Sequence, residues 1–127
     1  MIERIVPPGV PVPIAPYSPA VRAGGFIFVA GQVPLDVATG QMSLGDIAHE
    51  TGVVLTNLRR VLEGCGASMA DVVKVTVYLA NAADFTGMNA LYAKYFGEAK
   101  PVRTTVVVGF RNEIKVEIDC IAYVGQG

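Results

Sequence analysis

The segment from Ile114 to Val124 alternates without a break between two kinds of side chain. Because successive side chains of a strand point to opposite faces, this pattern predicts a β-strand with one buried face. The uniformly apolar or small side holds Ile114, Val116, Ile118, Cys120, Ala122 and Val124. The other side holds Lys115, Glu117, Asp119, Ile121 and Tyr123. We therefore expect the carboxylate of Glu117 to point away from the hydrophobic core.

A preceding strand is predicted after Pro101, and it carries the opposite charge at Arg103. Arg103, Thr105 and Val107 share one side of this strand, and Thr104, Val106 and Val108 share the other. We expect Arg103 and Glu117 to lie on facing parts of one sheet. Since a planar guanidinium pairs bidentately with a carboxylate, the pair predicts a site for a small carboxylic acid.

A third segment, from Val72 to Leu79, is apolar on both faces. Its alternating sets are Val73, Val75, Val77 and Leu79 on one side, and Val72, Lys74, Thr76 and Tyr78 on the other. A sheet that is covered by helices on one face and half apolar on the other usually meets a second protein surface. The sequence therefore predicts an oligomer with Arg103 and Glu117 near its interface.

Composition limits the class of protein. A chain of 127 residues that is 52% hydrophobic and 17% charged predicts one compact domain over residues 1–127. A net charge of −1 provides no strong field for nucleic acid or an anionic membrane. The N-terminus lacks a signal-peptide pattern, and no stretch is long enough for a membrane span. Because Cys65 and Cys120 resemble core residues of a reducing compartment, we predict a cytoplasmic protein that binds neither nucleic acid nor membrane.

The remaining patterns predict the order of the elements. The prolines in residues 7–19 predict an ordered loop or a sheet edge for this segment. Two strands are predicted after it, over Ala20–Ala23 and Phe26–Ala30, with a glycine turn between them. A loop lies around Thr39-Gly40, and helices precede and follow the Val72 strand. Each helix connects two strands, so the expected class is α+β, one mixed sheet with two helices packed on one face.

Both helices show start and stop signals. The first is predicted to be capped by Asp46 and to stop at Gly64 and Gly66, and the second to be capped by Asp84 and to stop at Gly97. The inward stripe predicted for the second helix is Phe85, Met88, Leu91, Tyr92, Tyr95 and Phe96.

The residues that several common kinds of catalytic or cofactor site require do not occur in this chain. His49 is the only histidine and has no partners at ligand spacing, so no metal site is predicted. No Ser-His-Asp order, GxxxxGK loop or strand-linked GxGxxG motif occurs. The chemistry that remains is acid–base catalysis by a carboxylate, acting on a substrate that an arginine binds. Partial burial would raise the pKa of Glu117 toward neutrality, and an imine or enamine would bring its own electrophile.

Short motifs in a fixed order run through nearly the entire chain. They are Ala15-Pro16-Tyr17-Ser18; Ala30-Gly31-Gln32-Val33-Pro34 followed by Thr39-Gly40; Lys74-Val75-Thr76-Val77-Tyr78-Leu79; Asn89 with Tyr92 and Phe96; Pro101-Val102-Arg103; and Val116-Glu117-Ile118-Asp119. These motifs resemble, in the same order, those of the RidA/YjgF family of reactive-intermediate deaminases. A series of ordered motifs is a far more specific signal than a single one.

The resemblance implies a chorismate-mutase-like fold that assembles into a barrel-like homotrimer with clefts between subunits and no cofactor. It also implies hydrolytic deamination of 2-enamine and 2-imino acids of the 2-aminoacrylate type to 2-oxo acids and ammonia. In this scheme Arg103 holds the substrate carboxylate, and Glu117 positions or activates the attacking water. The positions that match the family's cleft, and so are predicted to bind substrate, are Tyr17, Gly31, Asn89, Arg103 and Thr105.

The chain also departs from the best-characterised deaminases. Ala30 replaces a frequent serine, Thr105 a frequent cysteine and Glu50 a frequent glutamine, and residues 109–112 form a shorter turn that lacks the usual proline. Substrate preference is therefore open, and a longer ring-cleavage enamine such as 2-aminomuconate fits the same chemistry.

Two further hypotheses belong to other functional classes. A small-carboxylate sensor or trimeric interaction module would use Arg103 without turnover and would tolerate loss of Glu117. Ribonuclease activity, which has been ascribed to some relatives, is disfavoured because the chain has no histidine pair, no tryptophan and no excess of positive charge.

Overall fold

Six strands form one mixed sheet, and a two-stranded hairpin lies beside it. The computed structural model describes residues 1–125. In chain order the elements are β1 (Ile2–Ile5), β2 (Ala20–Ala23), β3 (Phe26–Gln32), β4 (Leu35–Asp36), β5 (Gln41–Met42), α1 (Ile47–Gly64), β6 (Val72–Leu79), α2 (Phe85–Phe96), β7 (Val102–Val107) and β8 (Val116–Tyr123). Short 3₁₀ turns at 69–71, 82–84 and 97–99 connect them.

The strand order of the large sheet is β1-β2-β3-β8-β6-β7. The last strand, β8, lies between β3 and β6 and is antiparallel to both. The edge strand β7 is parallel to β6, and α2 makes the crossover between them. Helix α1 packs on β3, β8 and α2. The predicted mixed sheet with two helices on one face is confirmed.

The core lies between this face of the sheet and the helices. Its largest fully buried side chains are Ile27, Val75, Val77, Leu79 and Ile118 of the sheet, Val54, Leu55, Leu58, Val61 and Leu62 of α1, and Met88 of α2. In β8 burial alternates as predicted from Val116 to Tyr123. The opposite face of the sheet, called here the open face, carries a cluster of partly exposed aromatic rings, Phe26, Phe28 and Tyr123.

The predicted ends of α1 are confirmed. The Asp46 side chain accepts a hydrogen bond from the backbone N–H of His49 (2.8 Å), and Gly66 just beyond the helix has φ +83°. The end of α2 at Gly97, with φ +55°, is also confirmed.

The prediction that Asp84 caps the start of α2 is wrong. Asp84 makes no side-chain cap, because a 3₁₀ turn at 82–84 precedes the helix and moves the capping position to Asn81. The Asn81 side chain accepts from the backbone N–H of Ala83 (2.9 Å). The predicted inward stripe is also wrong at Phe85, which is 43% exposed.

Two register shifts modify the predicted strands. β3 extends beyond its predicted end at Ala30 to Gln32, with an irregularity between Val29 and Gln32. A second shift between Val72 and Lys74 buries Val72 and exposes Val73, the reverse of the predicted sides. The strand β1 and the hairpin β4–β5 match no strand for which a residue range was predicted, and the Thr39-Gly40 loop is the turn of that hairpin. No helix within residues 1–125 is long and apolar enough to cross a membrane.

A buried carboxylate joins α1 to the start of β8. Glu50 has no exposed surface; its Oε1 accepts from the backbone N–H of Lys115 (2.8 Å), and its Oε2 accepts from that of Gly45 (3.1 Å). The Lys115 ammonium lies 3.4 Å from the same carboxylate. Because Lys115 immediately precedes β8, these bonds fix where β8 enters the sheet.

We expect Glu50→Ala to lower the free energy of unfolding by about 3 kcal/mol, because it leaves two backbone N–H groups without their acceptor. Glu50→Gln, which keeps one acceptor oxygen, should lose less. Urea denaturation measures both, with Glu63→Ala on the exposed side of α1 as the control. Equal losses for Glu50→Ala and Glu63→Ala would contradict this assignment.

Candidate active site

Glu117 lies in the middle of β8 on the open face. Its cross-strand partner on β6 is Tyr78, and on the other side β3 brings Gly31 against it. A Cβ added to Gly31 would overlap the Glu117 carboxylate and lie only 2.9 Å from its Cδ atom. The carboxylate therefore occupies the space that a side chain at position 31 would need, which accounts for the glycine. The structure brings together two of the predicted site residues, Gly31 and Glu117.

The surroundings of Glu117 favour its protonated form. Burial raises the pKa of Glu117 above its ordinary value, and the negative charge of Asp119, two residues away on the same face, raises it further. The Tyr78 hydroxyl donates a 2.7 Å hydrogen bond to Asp119 Oδ2, and this bond is the main reason that the pKa of Tyr78 rises to about 12. A carboxyl group whose pKa is raised toward neutrality is suited to both giving and accepting a proton.

Arg103 lies on the edge strand β7 and is held by three side chains of α2. Its Nη1 donates a 2.7 Å hydrogen bond to Asn89 Oδ1. Its guanidinium carbon lies 4.7 Å from the ring centre of Tyr92 and 5.5 Å from that of Phe85. Residues 85, 89 and 92 follow each other at helical spacing, so they share one side of α2. We call Phe85, Asn89 and Tyr92 the arginine clamp.

Arg103 and Glu117 point to opposite faces of the sheet. Arg103 pairs with Val75, which is fully buried on the helix side, whereas Glu117 pairs with Tyr78 on the open face. The prediction that the two charges lie on facing parts of one sheet is therefore wrong within a single subunit. The cause is the parallel register of β6 and β7, which sets the face of Arg103 and which the alternation inside each strand does not determine.

The other predicted site residues divide between these two places. Asn89 contacts Arg103, as described above. Thr105 shares the helix-side face with Arg103, and its hydroxyl is buried without a hydrogen-bond partner within residues 1–125. Tyr17 is 60% exposed and lines a groove of about 370 Å³ together with Gly31. The roles of Tyr17 and Thr105 in substrate binding stay predictions.

Arg103 and Glu117 also have neighbours that the sequence does not predict. Phe85 and Tyr92 contact the guanidinium, although their spacing fits an inward core stripe equally well. Asp119 and Tyr78 lie beside Glu117; the alternation of β8 places Asp119 on the correct face, but only the pairing with β6 places Tyr78 there. Within residues 1–125 no group of three or more His, Cys, Asp or Glu side chains could hold a metal ion.

We expect Asp119→Asn to lower the pKa of Glu117 toward its ordinary value of 4.5, because a like charge disfavours ionisation of its neighbour. Asp119→Glu keeps the charge and should leave the pKa raised. NMR titration of the Glu117 carboxyl carbon measures each value. An unchanged titration in Asp119→Asn would show that burial alone sets the pKa.

Comparison with known proteins gives consistent results over the length of the chain. Residues 9–124 match the family model described as Endoribonuclease L-PSP. A RutC family protein of Pyrococcus horikoshii is 48% identical over 97% of this chain and 98% of its own length. The 3-aminoacrylate deaminase RutC of Acinetobacter baylyi is 37% identical over 96% of this chain and 98% of its own. A 2-iminobutanoate/2-iminopropanoate deaminase of Dermatophagoides farinae is 37% identical over 96% and 97%.

A solved structure supports the same grouping. The Yersinia pestis protein YyfA, described as a member of the conserved Rid protein family, superimposes with a TM-score of 0.92 at 33% sequence identity. The match covers 98% of this chain and 100% of that chain. The ordered motifs, the mixed sheet with its two helices and these similarities together show that the chain belongs to the RidA/YjgF family.

Proposed function

We propose that this single-domain protein is a cytoplasmic, cofactor-independent deaminase that hydrolyses 2-imino and 2-enamine carboxylic acids to 2-oxo acids and ammonia. Two of the curated relatives are named as deaminases, one of 3-aminoacrylate and one of 2-iminobutanoate or 2-iminopropanoate, whereas the family model and two similar solved structures carry the name endoribonuclease. The observation that carries the proposal is the presence of two complementary groups, an arginine held by a neutral clamp and a glutamate with a raised pKa.

Arg103 binds the substrate carboxylate in this proposal. One guanidinium N–H is used by Asn89, and the remaining donors stay available for a planar pair with a carboxylate. Tyr92 and Phe85 limit the rotation of the guanidinium, so the carboxylate is bound in a defined orientation. Asn89 is then a positioning residue that acts through Arg103.

Glu117 carries the proton transfers. Protonated Glu117 gives its proton to the enamine carbon, which makes an iminium ion, and ionised Glu117 then takes a proton from the water that adds to the iminium carbon. Glu117 passes this proton to the nitrogen of the resulting carbinolamine, the C–N bond breaks and ammonia leaves. The hydroxyl proton returns to Glu117 as the C=O bond forms, so the net reaction consumes one water and yields the 2-oxo acid. A raised pKa brings Glu117 closer to the range in which it exchanges protons at neutral pH.

Because Arg103 and Glu117 face opposite sides of one sheet, we propose that each catalytic cleft combines Arg103 of one copy with Glu117 of the next in a homotrimer. The partly exposed rings of Phe26, Phe28 and Tyr123 on the open face support such contact between copies, since clusters of exposed apolar side chains mark interaction surfaces. The position of Arg103 on the edge strand β7 supports it as well, because an edge is accessible to a neighbouring chain.

The direct test is ammonia release from 2-imino acids that an amino-acid oxidase generates in place. We expect the wild type to accelerate hydrolysis, and Arg103→Met and Glu117→Gln each to lower kcat/KM by about 100-fold or more, through lost carboxylate binding and lost proton transfer respectively. Arg111→Met, an exposed arginine between β7 and β8, is the matched control. A folded wild type that accelerates none of these reactions would favour the small-carboxylate sensor or a larger enamine substrate.

Mixing the two inactive variants tests the shared cleft. After Arg103→Met and Glu117→Gln chains are unfolded together and refolded at equal amounts, about a quarter of the clefts should combine an intact Arg103 with an intact Glu117. Activity should then return to about a quarter of the wild-type value. Clefts built within one subunit would give no recovery, and each variant refolded alone provides the baseline.

A further inference from the structure

The groove that contains Tyr17 and Gly31 extends well beyond the space that a three-carbon substrate needs. Its volume of about 370 Å³ lies within the range of about 300–1,000 Å³ that is typical of small-molecule binding pockets. Much of its wall is apolar and includes Val10, Val12, Ile14, Val33 and Met42. A groove of this lining accommodates a hydrocarbon chain better than a hydrated polar one.

One cation, Arg60, lines the same groove, and its guanidinium is held in place. Its Nη1 donates a 2.7 Å hydrogen bond to Asn57 Oδ1. Asn57 is itself buried, and its Nδ2 donates to the backbone oxygens of Val33 (3.0 Å) and Leu35 (2.9 Å), so its Oδ1 can only face Arg60. Arg60 and Gly31 thus line the same groove, and Asn57 connects Arg60 to the backbone that follows Gly31.

The charge of Arg60 is not neutralised by a neighbour. Within residues 1–125 the one ion pair joins Lys115 to Glu50, and the hydrogen-bond partner of Arg60 is a neutral amide. A half-buried arginine that is oriented by a buried side chain and lacks an acidic partner has N–H donors left for an anionic ligand.

We propose that the groove binds the substrate side chain and that Arg60 binds a second carboxylate at its end. The preferred 2-imino acids are then dicarboxylic, with an apolar chain of several carbons between the two acid groups. This inference rests on the proposed deaminase function, because Gly31 both lines the groove and lies against the Glu117 carboxylate. Arg60 is a specificity-determining residue in this proposal.

The test compares imines made by oxidation of alanine, norleucine and 2-aminoadipate. Norleucine and 2-aminoadipate have side chains of equal length, and only the second ends in a carboxylate. We expect the highest kcat/KM for the 2-aminoadipate imine. We also expect Arg60→Met to lower the ratio of kcat/KM for the 2-aminoadipate imine to that for the norleucine imine by about 10-fold or more, because the variant removes the partner of the second carboxylate.

Arg59→Met is the matched control, because Arg59 is the adjacent arginine, does not line the groove and lies over the ring of Tyr95 at 5.3 Å. It should leave all three substrates unchanged. Equal kcat/KM for the norleucine and 2-aminoadipate imines, or equal effects of Arg59→Met and Arg60→Met, would overturn the inference while leaving the deaminase proposal intact.

A binding measurement separates this inference from the failure of the proposed function. If the wild type hydrolyses none of the three imines, calorimetry with 2-oxoadipate and 2-oxohexanoate still tests the groove. Tighter binding of 2-oxoadipate that Arg60→Met abolishes and Arg59→Met preserves would support the second carboxylate site. Equal affinity for the two 2-oxo acids would reject it.

Discussion

The central position of β8 determines the environment of each functional side chain. This strand lies between β3 and β6, so its helix-side residues are covered by core side chains and its alternate residues meet the open face. Glu117 is therefore next to Gly31 on one side and Tyr78 on the other. The adjoining edge strand β7 runs parallel to β6 and places Arg103 on the opposite face, against α2. One sheet thus carries the two side chains of the proposed site on opposite faces.

Two glutamates in this fold, Glu50 and Glu117, have different surroundings, and only the second is proposed to take part in catalysis. Glu50 has no exposed surface, and two backbone N–H groups and the Lys115 ammonium surround its oxygens. Glu117 is only half buried, and its pKa is raised by burial and, to a smaller extent, by the charge of Asp119. The first arrangement stabilises the fold, and the second leaves a half-buried carboxyl group with a raised pKa, as the proposed proton transfers require.

The sequence predicts what is periodic within one element and misses what depends on pairing between elements. The alternation of β8, the Asp46 cap and the extent of β6 are local properties, and the structure confirms them. The faces of Val72 and Val73 depend on a bulge that forms against β8, and the face of Arg103 depends on the register of β7. Local alternation is compatible with either register, so it predicts the residue types of the site but not their arrangement in space.

Both arginines proposed to bind substrate have an asparagine as their hydrogen-bond partner. Arg103 donates to Asn89, and Arg60 donates to Asn57, each at 2.7 Å. A carboxylate in either position would neutralise the guanidinium and compete with an anionic ligand, whereas a neutral amide orients it and leaves its full charge. Because buried Asn57 also bonds two backbone oxygens near β4, the orientation of Arg60 depends on the hairpin that covers the groove. In both places a neutral asparagine therefore orients an arginine and leaves its positive charge available for the proposed carboxylate ligand.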